Sequence, residues 1–154
     1  MAARILFIES DPEFASAVRE RLEARGAAVE VVGDGGEGLS RAAAERPDLV
    51  LLSIELPQMN GFLVCKKLKK NADTQGIPVV ILSSEATEEI FEQHRKLRTR
   101  AEEYVRKPVD PDALVERVGR LVELGQGEIE ALELSDDDAM EIPIEEVEEV
   151  EEVE

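Results

Sequence analysis

Five short apolar runs, at residues 4–8, 28–32, 49–53, 78–82 and 103–105, alternate along the chain with stretches whose apolar residues recur at helical spacing. Two of them, Leu49-Val50-Leu51-Leu52 and Val79-Val80-Ile81-Leu82, are apolar at successive positions. Strict alternation marks a strand with one wet face, whereas an unbroken run marks a central strand of a parallel sheet covered on both sides. Five strands alternating with five helices then require right-handed crossovers and a doubly wound α/β sandwich. The 154 residues suffice for one such core without disulfides or metal.

Local signals place the helices. Asp11-Pro12 is a cap followed by proline at the first helical position, and Phe14, Val18 and Leu22 continue at a spacing of four to an end near Gly26. The segment Gly33–Gly38 opens a second helix, which Pro47 stops. Asn60-Gly61 turns into a third, with Val64, Cys65 and Leu68 toward the sheet and Lys66, Lys67, Lys69 and Lys70 in solvent. A fourth is predicted over residues 86–97, and Asp110-Pro111 starts the fifth, carried on by Leu114, Val118 and Leu121.

Charge divides the chain. Residues 1–124 carry 22 acids against 18 bases, while residues 125–154 carry 14 acids and no Lys or Arg. The pattern defines a body of residues 1–124 and an acidic tail or linker of residues 125–154, with Gly125-Gln126-Gly127 as a hinge. The end repeats Ile or Val with paired glutamates every three residues, a period that winds an apolar stripe round a helix, so disorder is expected for residues 128–154. A natural chain running beyond Glu154 is also expected, because the repeat is cut short. A net charge of −18, with no basic stripe read on any one helix, argues against nucleic acid and anionic membrane partners. The single cysteine, Cys65, provides no disulfide framework and reads as core. With no leader pattern and no apolar run near the roughly 18 residues of a membrane span, a cytoplasmic location is expected.

In an open α/β sheet, ligands gather beyond the carboxyl ends of the strands. Those ends supply Glu9, Ser10 and Asp11, then Ser53 and Glu55, then Ser83 and Ser84, and finally Lys107. Acids, hydroxyls and one lysine are the parts of a divalent-metal and phosphoryl site.

The segments Ile5–Pro12, Asp34–Gly38, Pro47–Ser53, Leu56–Gly61, Pro78–Ser84 and Glu103–Pro108, in this order, make residues 3–124 resemble the CheY-like receiver domain of two-component response regulators. Through Gln93–Leu97, Tyr104 and Lys107-Pro108 they are most similar to the receiver of a myxobacterial gliding-motility regulator that lacks the phosphoacceptor. The resemblance implies a flavodoxin-like sheet of order 2-1-3-4-5. It assigns the acidic pair after the first strand to Glu9 and Ser10, and the phosphoacceptor aspartate to Ser53. It also puts the metal-site carbonyl on Glu55, the switch hydroxyl on Ser83, the switch aromatic on Tyr104 and the phosphate-binding lysine on Lys107. Two carboxylates of the pattern are therefore missing.

Aspartate is an ionised nucleophile at neutral pH, whereas serine needs an activating base, and the only histidine, His94, is predicted on the fourth helix away from Ser53. The expectation is a pseudo-receiver: not an enzyme, no cofactor, and magnesium bound weakly or not at all. Asp11 reads as a helix cap more than a ligand, and Lys107 as the partner of Glu9 or Glu55, shutting the site. Ser53, under its loops, is a poor kinase substrate. The sequence Gly33-Asp34-Gly35-Gly36-Glu37-Gly38 matches a dinucleotide fingerprint formally, but it follows the second strand, and Asp34 and Glu37 would repel a pyrophosphate. His94 reads as a helix-surface residue. The partner-binding face, by resemblance, is the fourth helix, fifth strand and fifth helix, with His94, Arg95, Lys96, Tyr104 and Arg106, in bacterial signalling, motility or polar localisation. Two alternatives stand beside this: a working receiver that takes phosphate on Asp11 or Glu55, and an acidic tail that is itself the main partner-binding element.

Overall fold

The computed structural model describes residues 2–125. The strands are β1 (Arg4–Ile8), β2 (Ala28–Val32), β3 (Leu49–Ser53), β4 (Val79–Ser83) and β5 (Glu103–Arg106). Between and after them lie α1 (Pro12–Ala24), α2 (Gly35–Glu45), α3 (Gly61–Lys70), α4 (Glu88–Arg95) and α5 (Pro111–Val118). All pairings are parallel and the sheet order is β2-β1-β3-β4-β5, as expected. The tail from residue 126 onward, with the expectations placed on it, lies outside the described residues.

Period-two alternation sorts each strand onto two cores. Leu6, Ile8, Val50, Leu52, Val79 and Ile81 face α2, α3 and the rings of Phe91 and Tyr104. Ile5, Phe7, Leu49, Leu51, Val80 and Leu82 face α1 and α5. Every residue of β3 and β4 is buried, as their unbroken apolar runs require.

Side-chain caps start the helices where the sequence places them. Asp11 accepts from the N–H groups of Glu13 and Phe14, Asp34 from Glu37, Asn60 from Phe62 and Asp110 from Asp112. The fourth helix is shorter than its predicted 86–97 at both ends, because the Thr87 hydroxyl caps it by accepting from Ile90 N–H and the backbone turns off at Lys96. The glycine-rich opening of α2 is a packing device. A Cβ on Gly38 would come within 2.4 Å of Ile8, and one on Gly35 within 2.6 Å of Val64. Only bare backbone lets α2 lie this close to β1 and α3.

Candidate phosphoryl-type site

β1 is flanked by β2 on one side and β3 on the other, so the chain leaves β1 and β3 in opposite directions and opens a crevice beyond their ends. Glu9, the first residue past β1, is 3% exposed. Its Oε1 accepts from the Lys107 ammonium at 2.8 Å and from the Ser53 hydroxyl, and its Oε2 accepts from Asp11 N–H at 3.0 Å. Ser53, at the end of β3, is fully buried, and Lys107 is held at the end of β5 by its N–H donating to the Ser83 carbonyl at 2.8 Å. The lysine stem also passes the Phe14 ring, with the ammonium 5.0 Å from the centroid. Of the two carboxylates weighed as partner for Lys107, the fold selects Glu9.

Glu55 turns to the other side of the crevice. Its carboxylate accepts from the Ser83 hydroxyl at 2.5 Å, from Ser84 N–H at 3.1 Å and from the Ser84 hydroxyl at 3.3 Å. Burial pushes its pKa up, but the hydrogen bonds from Ser83 and from backbone N–H groups outweigh this and hold it below the usual 4.5. The Ser83 oxygen accepts in turn from the N–H groups of Glu85 and Ala86, which fixes the loop leading to α4. Ser10 is exposed, and its hydroxyl reaches only the Glu55 carbonyl, at 3.4 Å. Asp11 is exposed and occupied as the cap of α1. The seven residues Glu9, Ser10, Asp11, Ser53, Glu55, Ser83 and Lys107 thus meet at one end of the sheet, divided between a Lys107–Glu9–Ser53 chain and a Glu55–Ser83–Ser84 chain.

The second set of residues requires a correction. His94, read as a helix-surface residue, is 8% exposed, and Tyr104 is 5% exposed. His94 Nδ1 and the Tyr104 hydroxyl share a hydrogen bond of 2.5 Å, and the same hydroxyl accepts from Ala101 N–H at 3.0 Å. Phe62 of α3 packs on the imidazole with centroids 4.9 Å apart, and Phe91 on the Tyr104 ring at 5.2 Å. The Arg95 guanidinium lies 4.8 Å over the tyrosine ring. Burial lowers the pKa of His94 and raises that of Tyr104. Only Lys96 and Arg106 of the five are exposed, with Arg95 half-buried. The periodicity of α4 is too short to reveal that His94 falls one turn after the buried Phe91, and nothing local pairs Phe62 with it. Cys65 is buried as expected, and burial pushes its thiol up to about 12.

A parallel sheet wound 2-1-3-4-5 with acids, hydroxyls and a lysine beyond its carboxyl ends defines a receiver-type α/β domain. The family model for the response regulator receiver domain matches residues 5–119, and the chain belongs to that family, the signalling domains of two-component systems. It is 37% identical over 118 residues to the DNA-binding response regulator MtrA of Mycolicibacterium smegmatis, covering 77% of this chain but only 50% of that protein. It is 33% identical over 122 residues to protein PilH of Pseudomonas aeruginosa, covering 78% of this chain and 98% of PilH. The chain therefore spans about half the length of MtrA and nearly all of PilH. Among solved structures, a CheY-like receiver domain protein from Methanospirillum hungatei superposes with a TM-score of 0.70 at 29% identity, over 78% of this chain and 93% of that one. CheY4 of Vibrio cholerae shares the fold, with a TM-score of 0.72 at 24% identity over 79% of this chain and 100% of that one. Among the described residues no helix is long and apolar enough to cross a membrane.

Proposed function

We propose that this domain is a pseudo-receiver, a protein-binding module that works without phosphorylation. The observation that carries the reading is Ser53 at the position of the phosphoacceptor, fully buried and donating to a Glu9 carboxylate already paired with Lys107. The carboxylate that accepts its proton is already paired with Lys107 and so is a weak base, and the one imidazole bonds Tyr104 on the far side of β4. Magnesium, which the family implies, does not suit these donors. Lys107 neutralises Glu9, Glu55 is engaged by three serine groups, and positions 10 and 53 present hydroxyls instead of carboxylates.

The proposed partner face is α4, β5 and α5, with Lys96 and Arg106 offered to solvent, Arg95 half-buried over Tyr104, and the His94–Tyr104 pair shaping the face from beneath. The partner is a protein of a bacterial signalling system, in motility or polar localisation. Incubating the protein with magnesium and acetyl phosphate and measuring its intact mass tests the reading. An unchanged mass is expected; a phosphate adduct, stable or base-labile, overturns it. Glu55 is favoured over Asp11 as an alternative acceptor by its contact with Ser83, so Glu55→Gln in the same experiment separates an unusual working receiver from none.

A further inference from the structure

At least eight of the eighteen cations in this body are matched to acids, Lys69 and Arg95 among them. Arg19, Arg21, Arg41, Arg46, Lys107 and Arg117 each hold a carboxylate within 4 Å. Two neighbouring segments are different. Lys66, Lys67 and Lys70 on α3 and Lys96, Arg98 and Arg100 on the connection from α4 to β5 are all exposed, and none forms an ion pair among the described residues. Arg100 reaches only the Leu97 carbonyl.

The two segments are about thirty residues apart in sequence but adjacent in space. Cys65 Sγ lies 3.4 Å from the Thr99 carbonyl, Phe62 packs on His94, and Lys69 lines one depression with Arg98 and Arg100, while Lys66, Lys67 and Lys70 line a second one with Leu63 on the same helix. The acid in the first depression, Glu102, is held by Lys69 at 2.9 Å and by Val79 N–H at 2.8 Å, so it leaves the six cations uncompensated. Like charges on adjoining segments repel, and a protein of net charge −18 does not need them for solubility. Two of the three exposed large apolar residues, Leu63 at 43% and Leu97 at 47%, belong to the same two segments.

We infer that the six unpaired cations of α3 and the α4–β5 connection form a docking surface for an acidic polypeptide segment of a partner protein, in which carboxylates alternate with aliphatic side chains. The lysines and arginines meet the carboxylates, and Leu63 and Leu97 take the aliphatic residues. The chemistry favours a peptide over nucleic acid. The rings beside these segments offer single-stranded bases little to stack on, since Phe62 is half-buried and packs on His94, and Tyr104 is buried. The chain's −18 also repels a long polyanion more than a short peptide. The surface is separate from the crevice at Ser53 and does not depend on how that crevice is read.

Titrating the full chain into a fluorescent synthetic peptide of repeated Ile-Glu-Glu-Val, and following anisotropy, tests the inference. Saturable binding that weakens with salt is expected, with a loss of at least tenfold in Lys66→Glu combined with Arg98→Glu. Arg19→Glu combined with Arg120→Glu changes the net charge equally, on α1 and beyond α5, and is expected to bind within twofold of the parent. Circular dichroism melts keep folding separate from binding. Absence of saturable binding, equal binding by the two double variants, or tighter binding of a single-stranded oligonucleotide or of phosphatidylserine vesicles than of the peptide would each overturn it.

Discussion

Ser53 and Glu9 illustrate how one substitution reorganises its neighbours. The hydroxyl donates to a carboxylate that is itself paired with Lys107, so charge in the buried crevice is already balanced. Ser53→Asp would place a second carboxylate against Glu9 in a fully buried position, costing roughly 2 kcal/mol or more of stability. The single variant is expected to show a lower urea midpoint and no acetyl phosphate labelling, and Ser10→Asp is expected to be needed beside it before the mass increases. Tyr104 bears a second residue-scale prediction. Tyr104→Phe leaves Ala101 N–H and His94 Nδ1 without their partner, a loss of about 1–3 kcal/mol in denaturant unfolding. His94 adds a pH dependence whose sign follows from its lowered pKa. Below the usual 6.5 the unfolded chain takes up a proton that the folded imidazole refuses, so the stability is fully present above 6.5 and is lost as pH falls below it. Glu55, held below 4.5, gives way only in a lower window, below the carboxylate range of the unfolded chain. Urea midpoints are therefore expected to fall between pH 7 and 5.5, and the slope to flatten in His94→Gln.

At the scale of elements, the glycines separate sequence motif from packing need. Gly61 begins α3 where a Cβ would come within 2.2 Å of the Ser53 carbonyl oxygen and 2.7 Å of Ile54 Cα, both backbone. Nothing there can yield cheaply, so Gly61→Ala is expected to cost about 2 kcal/mol or more. Gly36 lies inside the glycine-rich opening of α2, yet its Cβ would meet only Asp34 Oδ1 at an ordinary 3.4 Å. Gly36→Ala is expected to be neutral or to stabilise by about 0.5 kcal/mol through helix propensity. Thermal melts of the two variants check the contrast. The apparent dinucleotide fingerprint is thus explained by helix proximity at Gly35 and Gly38, with Gly36 dispensable.

For the molecule as a whole, the sheet couples its two cores. Leu51 belongs to the core under α1 and α5 and Leu52 to the core under α2 and α3, yet they are neighbours on β3 and both fully buried. Leu51→Ala and Leu52→Ala are each expected to cost about 2–5 kcal/mol. Each is also expected to shift one common transition, with far-ultraviolet dichroism and tyrosine fluorescence falling together. Two separated transitions would mean that the cores unfold independently. The scale of the molecule also decides where charge gathers: it sets α3, which carries Lys66, Lys67 and Lys70 along one side, next to the α4–β5 connection with Arg98 and Arg100.

The sequence by itself determined five strands, five helices, the double burial of β3 and β4, the caps at Asp11 and Asp110, and the set of side chains beyond the strand ends. These follow from periodicity and capping within a few consecutive residues, which any chain segment carries locally. Only the tertiary structure decided that Lys107 pairs with Glu9 while Glu55 takes Ser83, that His94 is buried against Tyr104, and that α3 lies beside the cationic α4–β5 connection. Each of these is a choice among partners brought together by the crossovers of a parallel sheet. That choice is set by side-chain direction and loop path across distant segments, for which no local spacing is a signal.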